Sequence, residues 1–226
     1  MLCALSAICV NVYAQPSDWA NFAKYAAENR QLAAPALHEK RVVFMGNSIT
    51  EGWKKTDSTF FMGRPYVNRG ISGQTTPQML SRFRPDVVNL KPAVVVILAG
   101  INDIAENTGP MSDEAIAGNI ISMIQLAQAN KISVVLCSIL PANRFPWRPA
   151  IMPASRVIAV NKLLKNYADQ HKIVYVDYYA SMVDNEQGLP QKYAEDGVHP
   201  TLEGYKVMET LVEQGIQKAI KKRTGR

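Results

Sequence analysis

The chain has 226 residues, of which 47% are apolar and 19% charged, with 13 glycines and 13 prolines. That mix excludes disordered, collagenous and low-complexity classes and fits one domain with a sizeable core. The net charge is +6, but Lys218, Lys221, Lys222, Arg223 and Arg226 carry most of it at the C-terminus and leave the body nearly neutral, a poor footprint for nucleic acid.

In chain order, Leu2–Val10 is a short apolar run, followed by Val12-Tyr13-Ala14. Small or apolar residues there suit signal-peptidase cleavage after Ala14, although no Lys or Arg precedes Lys24. The run is too short for a membrane span, which needs about 20 residues. The expectation is a signal peptide over 1–14, a secreted or periplasmic location, and a mature domain over 15–226. Cleavage would remove Cys3 and Cys9 and leave Cys137 as a buried filler without a disulfide partner.

A helix is expected over about 17–34, with Trp19, Phe22, Ala23 and Ala26 on its inner face behind Ser17 as cap. Four runs are apolar on both faces: Val42–Met45, Ala93–Leu98, Ile132–Leu136 and Ile173–Val176. Strands buried on both sides of a parallel sheet read this way. Tyr66-Val67-Asn68 is a weaker fifth strand. Between them lie helical patterns starting at Thr76-Pro77, Ser112, Ser155 and about Thr201, the first ended or kinked by Pro85. The last carries Leu202, Tyr205, Met208, Leu211 and Val212 inward. A catalytic core over about 41–217 and a basic tail over 218–226, read as a solvated helix end with cations at its negative dipole terminus, complete the layout. Alternation of strands and helices implies an α/β sandwich, whose sites form at the carboxyl ends of the strands.

The residues after each run are small and polar. They are Gly46-Asn47-Ser48-Ile49-Thr50, Asn68-Arg69-Gly70-Ile71-Ser72-Gly73 and Gly100-Ile101-Asn102-Asp103, and Asp196-Gly197-Val198-His199-Pro200 precedes the last helix. Acyl transfer needs a nucleophile, a base, an orienter for the base and donors for the oxyanion. Ser48 sits at a strand-to-helix turn. Of the three histidines, His38, His171 and His199, only His199 lies in a loop with an acid at short range, Asp196. Gly70 and Asn102 can supply a backbone and a side-chain donor. Singly, each has a blander reading as a cap, a turn or a local hydrogen bond.

Together, in this order, the four blocks resemble the SGNH hydrolases, also called the GDSL esterase/lipase family, from about Arg41 to about Gln217. The resemblance implies a flavodoxin-like three-layer α/β/α fold around a parallel five-stranded sheet. It implies Ser48 as nucleophile, His199 as base, Asp196 as its orienter, and the Ser48 and Gly70 amides with the Asn102 side chain as oxyanion donors. No cofactor or metal is implied. The family's usual Gly-Asp-Ser is here Gly-Asn-Ser, with Asn47 in place of the acid.

The insert Pro141–Pro153 follows the fourth strand. Arg144, Phe145, Trp147 and Arg148 in it are candidate substrate contacts, with aromatics to stack on sugar rings and arginines to hold acidic groups. The alternative is a proline-stiffened surface loop. The expected partner is a small-molecule or glycan ester, with acetyl groups on carbohydrate as the lead. A lysophospholipase or thioesterase is the alternative, and a non-catalytic carbohydrate- or lipid-binding module the second class.

Overall fold

The computed structural model describes residues 18–224. The expected signal peptide, its two cysteines and the Ser17 cap lie outside them.

Five strands form one parallel sheet in the order β2-β1-β3-β4-β5: β1 Val42–Gly46, β2 Tyr66–Gly70, β3 Val94–Leu98, β4 Ser133–Cys137 and β5 Val174–Val176. Every strand pair is parallel, so each connection must return from one edge of the sheet to the other. The returning helices are α2 Ser48–Thr56, α3 Thr76–Asp86, α5 Asp113–Ala129 and α6 Ala154–Gln170, with α8 Leu202–Thr224 closing the chain; α4 Ile101–Ile104 and α7 Tyr178–Met182 are short. Helices cover both faces, giving the three-layer α/β/α sandwich.

The physics of the apolar runs is visible in their burial. All five residues of β1 and of β3 are buried, as continuous runs without alternation require. The stripe Ile116, Ile120, Met123, Ile124 and Ala127 of α5 is wholly buried. Cys137 is buried and unpaired, and burial pushes its thiol up to about 12, so it is inert filler. Gly215 lets α8 settle on β4 and β5, since a Cβ there would lie 2.6 Å from Val176 Cγ2.

Two expectations need correcting. The first helix, α1, spans only Ala23–Gln31. Its start is held by the Asp18 carboxylate, which accepts the N–H groups of Phe22 and Ala23 at 2.6 and 2.9 Å. Trp19 and Phe22 are nearly half exposed, and the buried residue of α1 is Tyr25. On α8, Leu202 is exposed while Tyr205, Met208 and Val212 are buried. Helix α8 continues through the basic segment to Thr224 and buries Ala219.

Candidate active site

Strand register brings the site together. Gly46 of β1 lies opposite Gly70 of β2 and Leu98 of β3, so the three strands end level. Strand order also reverses at β1 and β3, the place where crevices open in such sheets. The segments that follow these ends therefore share one edge.

After β1 the chain must turn into α2 at once. A Cβ on Gly46 would lie 1.9 Å from Thr50 Oγ1, so only glycine permits that turn. Asn47 is buried and caps α2, its Oδ1 accepting the Ile49 N–H at 3.3 Å. Asparagine thus performs the capping that an acid could perform, without adding a buried charge. Ser48 follows as the first helical residue, partly exposed at the edge, with an N–H that has no acceptor inside the helix.

Ser48 Oγ lies 2.9 Å from His199 Nε2, and His199 Nδ1 lies 2.6 Å from Asp196 Oδ2. The other Asp196 oxygen accepts the N–H groups of Val198 and His199, both at 2.8 Å. Gly197, at φ +82°, makes that tight turn possible. Burial pushes the Asp196 carboxyl up, but the hydrogen bonds from the His199 ring and the two amides outweigh it and hold the group below its ordinary value. The imidazole is therefore held between a carboxylate and a hydroxyl. Side-chain exposures of 43% for His199 and 40% for Asp196 leave the site open to solvent. His38 and His171 are elsewhere. His171 follows the end of α6, stacked on Tyr167.

The loop after β2 is tied from several sides. Ile71 N–H donates to Gly46 O at 3.1 Å, and Ser72 N–H to Glu51 Oε2 at 2.7 Å. Arg82 is wholly buried beneath it. Its guanidinium donates to Gly46 O (3.0 Å), Arg69 O (2.9 Å), Asp86 Oδ2 (2.9 Å) and Gln74 Oε1 (2.5 Å). One side chain thus joins the ends of β1 and β2 to the loop. Asn102, buried in α4, donates from Nδ2 to Gln74 O at 2.9 Å, which docks the same loop beside α4. Asp103 next to it accepts the Thr76 N–H and hydroxyl and so fixes the start of α3.

Gly70 departs from its expected role. Its N–H donates to Asn68 Oδ1 at 2.9 Å and is not available to an oxyanion. The glycine is needed for packing instead, since a Cβ would lie 2.2 Å from the Glu51 nitrogen. Sequence reasoning passed over Gly73. It is exposed at φ +76°, and its N–H has no partner among the described residues. Its signal in the sequence is a second glycine three residues after Gly70 in the same loop.

In the Pro141–Pro153 insert, Trp147 is 42% exposed and its ring centre lies 6.0 Å from that of His199. Phe145, expected to meet substrate, is fully buried. It backs Trp147 at 5.2 Å between ring centres and anchors the loop. Arg144 is exposed and lies along the Gly197 turn, and Arg148 Nη2 reaches Glu106 O at 3.3 Å. Behind the serine turn, Asn47, Ile49, Leu98, Ile101 and Ile139 help line a void of about 10 Å³. That is room for about one water or methyl-sized group. Among the described residues no group of three or more His, Cys, Asp or Glu converges to hold a metal.

Residues 44–207 match the GDSL-like lipase/acylhydrolase family. The chain belongs to that family. It is a serine ester hydrolase by the same finding and by the relatives it resembles. It is 33% identical over 163 residues to the esterase TesA of Pseudomonas aeruginosa, covering 70% of this chain and 74% of that one. A GDSL-like lipase structure from Bacteroides thetaiotaomicron is 53% identical, with a TM-score of 0.86 over 88% of this chain and 98% of its own. An acetylxylan esterase of Xylanibacter ruminicola is 25% identical over 225 residues, covering 83% of this chain but 45% of that longer protein.

Proposed function

We propose that this acylhydrolase removes short acyl groups, foremost acetyl, from carbohydrate esters outside the cytoplasm, with Ser48 as nucleophile, His199 as base and Asp196 as its orienter. The continuous hydrogen-bonded chain from Ser48 Oγ through His199 to Asp196 carries the reading.

His199 takes the Ser48 proton from Nε2 as the hydroxyl oxygen attacks the ester carbonyl. Asp196 keeps the Nδ1 proton in place and stabilises the imidazolium. The charge that develops on the carbonyl oxygen meets the Ser48 N–H at the start of α2, the second Nδ2 hydrogen of Asn102 and the Gly73 N–H, which replaces Gly70 in the assignment. His199 then returns its proton to the leaving alcohol, and water, activated by the same imidazole, resolves the acyl-enzyme.

The small acyl preference rests on the segments at the active edge, 46–50, 68–74 and 100–107, which are short and mostly polar and offer little apolar surface to a chain of methylenes. Burying each would otherwise yield about 0.8 kcal/mol. The sugar reading rests on Trp147, an exposed ring beside His199 whose face can cover a pyranose. Kinship with an acetylxylan esterase points the same way. Export rests on the apolar run Leu2–Val10. Among the described residues no helix is long and apolar enough to cross a membrane.

A chain-length series of p-nitrophenyl esters, run beside release of acetate from acetylated xylan, tests the assignment. The expected result is highest kcat/KM on the acetyl ester, a steep fall by octanoyl, and acetate release that drops in Trp147→Ala. Preference for octanoyl over acetyl turns the assignment to a lysophospholipase or thioesterase.

A further inference from the structure

We propose that the pole opposite the active edge is a binding trough for a linear acidic polysaccharide. In a parallel sheet the strand N-termini and the C-termini of the returning helices share one pole. There, two cavities of about 490 Å³ each adjoin, sharing Lys131, Ile132 and Arg223 in their walls. Six cations from five separate stretches of chain line the pair: Arg84, Lys91, Lys131, Lys172, Lys222 and Arg223. Among the described residues no Asp or Glu lines either cavity.

Ordinary helix-end complementation accounts for only part of this charge. Of the helices that end at this pole, four, α3, α5, α6 and α8, end beside the cavities. Each end is equivalent to roughly half a negative charge, so about two charges face six. None of the six is in an ion pair among the described residues, and the nearby acids Asp86 and Asp169 are paired with Arg82 and Lys165. Lys222 Nζ donates to Lys172 O at 2.9 Å, and Arg223 Nη1 to Ala93 O and Lys131 O at 3.2 and 2.5 Å. These carbonyls hold the side chains in place without cancelling their charge.

The shape and composition choose the ligand. Two joined wells suit an extended chain better than one small anion. The apolar floor, with Ile132, Ile173 and Val174, offers the carbon faces that sugar rings cover. Among the described residues the only aromatic ring in the walls is the His171 imidazole, already stacked on Tyr167 with centres 4.1 Å apart, so unpaired bases find no platform. Among the described residues none of the large exposed hydrophobics, Trp147 and Met152 among them, lines the trough, so none would enter a lipid surface from there. A chain held here leaves Ser48 and His199 facing away from it. The inference does not use the esterase chemistry.

Binding of the full chain to polygalacturonate is measured by titration across a series of NaCl concentrations. The variant Lys131→Asn, Lys172→Asn, Lys222→Gln removes three cations, with Asn at the two positions of positive φ because it tolerates them. A control with Lys54→Gln, Lys55→Gln and Lys162→Gln removes the same charge elsewhere. The expected result is a Kd weakened about 10- to 30-fold in the first variant at low salt with a shallower salt dependence, and at most about twofold in the control. All three proteins should hydrolyse p-nitrophenyl acetate alike, which separates this test from that of the active site. Equal weakening in both variants, or no binding by the wild type, overturns the proposal. Tighter binding to a single-stranded oligonucleotide or to phosphatidylglycerol vesicles than to polygalacturonate overturns it too.

Discussion

Asn102→Ala probes the proposed oxyanion site at its most buried point. The Asn102 amide carries two Nδ2 hydrogens, and one is committed to Gln74 O at 2.9 Å. A single donor is therefore left for the developing charge. Removing one such donor costs about 10²–10³ in kcat, or about 2.7–4 kcal/mol. The substitution also strips the Gln74 carbonyl of its partner inside the protein, at about 1–3 kcal/mol of stability. At about 2–4 °C per kcal/mol for a chain of this size, the melting point should fall by roughly 2–12 °C. Steady-state kinetics on p-nitrophenyl acetate, well below that melting point, should show the kcat loss with KM little changed. Asn102→Asp keeps the shape but offers no hydrogen to the oxyanion, so its kcat should fall at least as far. Retention of kcat within about threefold, with a raised KM, would make Asn102 a binding residue and refute the reasoning.

Three further outcomes follow from the same geometry. Burial pushes the Asp103 carboxyl up to about 6, against the hydrogen bonds from Thr76. The folded state then holds that proton more tightly than the unfolded chain between about pH 4 and pH 6, so this contribution to stability is full below that window and is lost as pH rises through it, by about 3 kcal/mol in all. Asp103→Asn should remove that slope in urea unfolding, and an identical difference between wild type and variant at pH 4 and pH 7 would contradict it. Gln74→Leu should leave the protein folded but lower kcat, since the loop between Arg82 and Asn102 loses an anchor; an unchanged kcat would show that Arg82 does not hold the loop. His199→Ala should cost on the order of 10⁶ in kcat, and Asp196→Asn about 10⁴ because it acts through the ring, so equal losses would mean the acid does more than orient.

How far the molecule is legible in its sequence depends on what each residue touches. Val42–Met45 and Ala93–Leu98 are apolar without alternation, which only burial on both faces explains, and parallel packing follows. Ser48, Asn102 and His199 stand out because each follows a strand or precedes a helix, where backbone position alone puts a side chain at the edge. Gly70 and Gly73 could not be told apart that way. Which amide is free depends on Asn68 folding back two residues onto the Gly70 N–H, a contact without a pattern. Phe145 and Trp147 pose the same difficulty, since both sit in one proline-rich insert and only packing decides that Phe145 anchors and Trp147 faces His199. Trp19 and Phe22 misled because an apolar spacing of 3 mimics a helix face in a segment that Asp18 caps further on. The cationic pole was visible only as a basic terminus, because Arg84, Lys91, Lys131 and Lys172 join it from distant positions.

The central claim is that Ser48 is the nucleophile. Incubation with a fluorophosphonate, followed by peptide mass spectrometry, tests it most directly. The expected result is one adduct, on the peptide carrying Ser48, with labelling and hydrolysis both lost in Ser48→Ala and labelling slowed in His199→Ala. Full labelling of Ser48→Ala, or an adduct on another serine in the active wild-type enzyme, would contradict it.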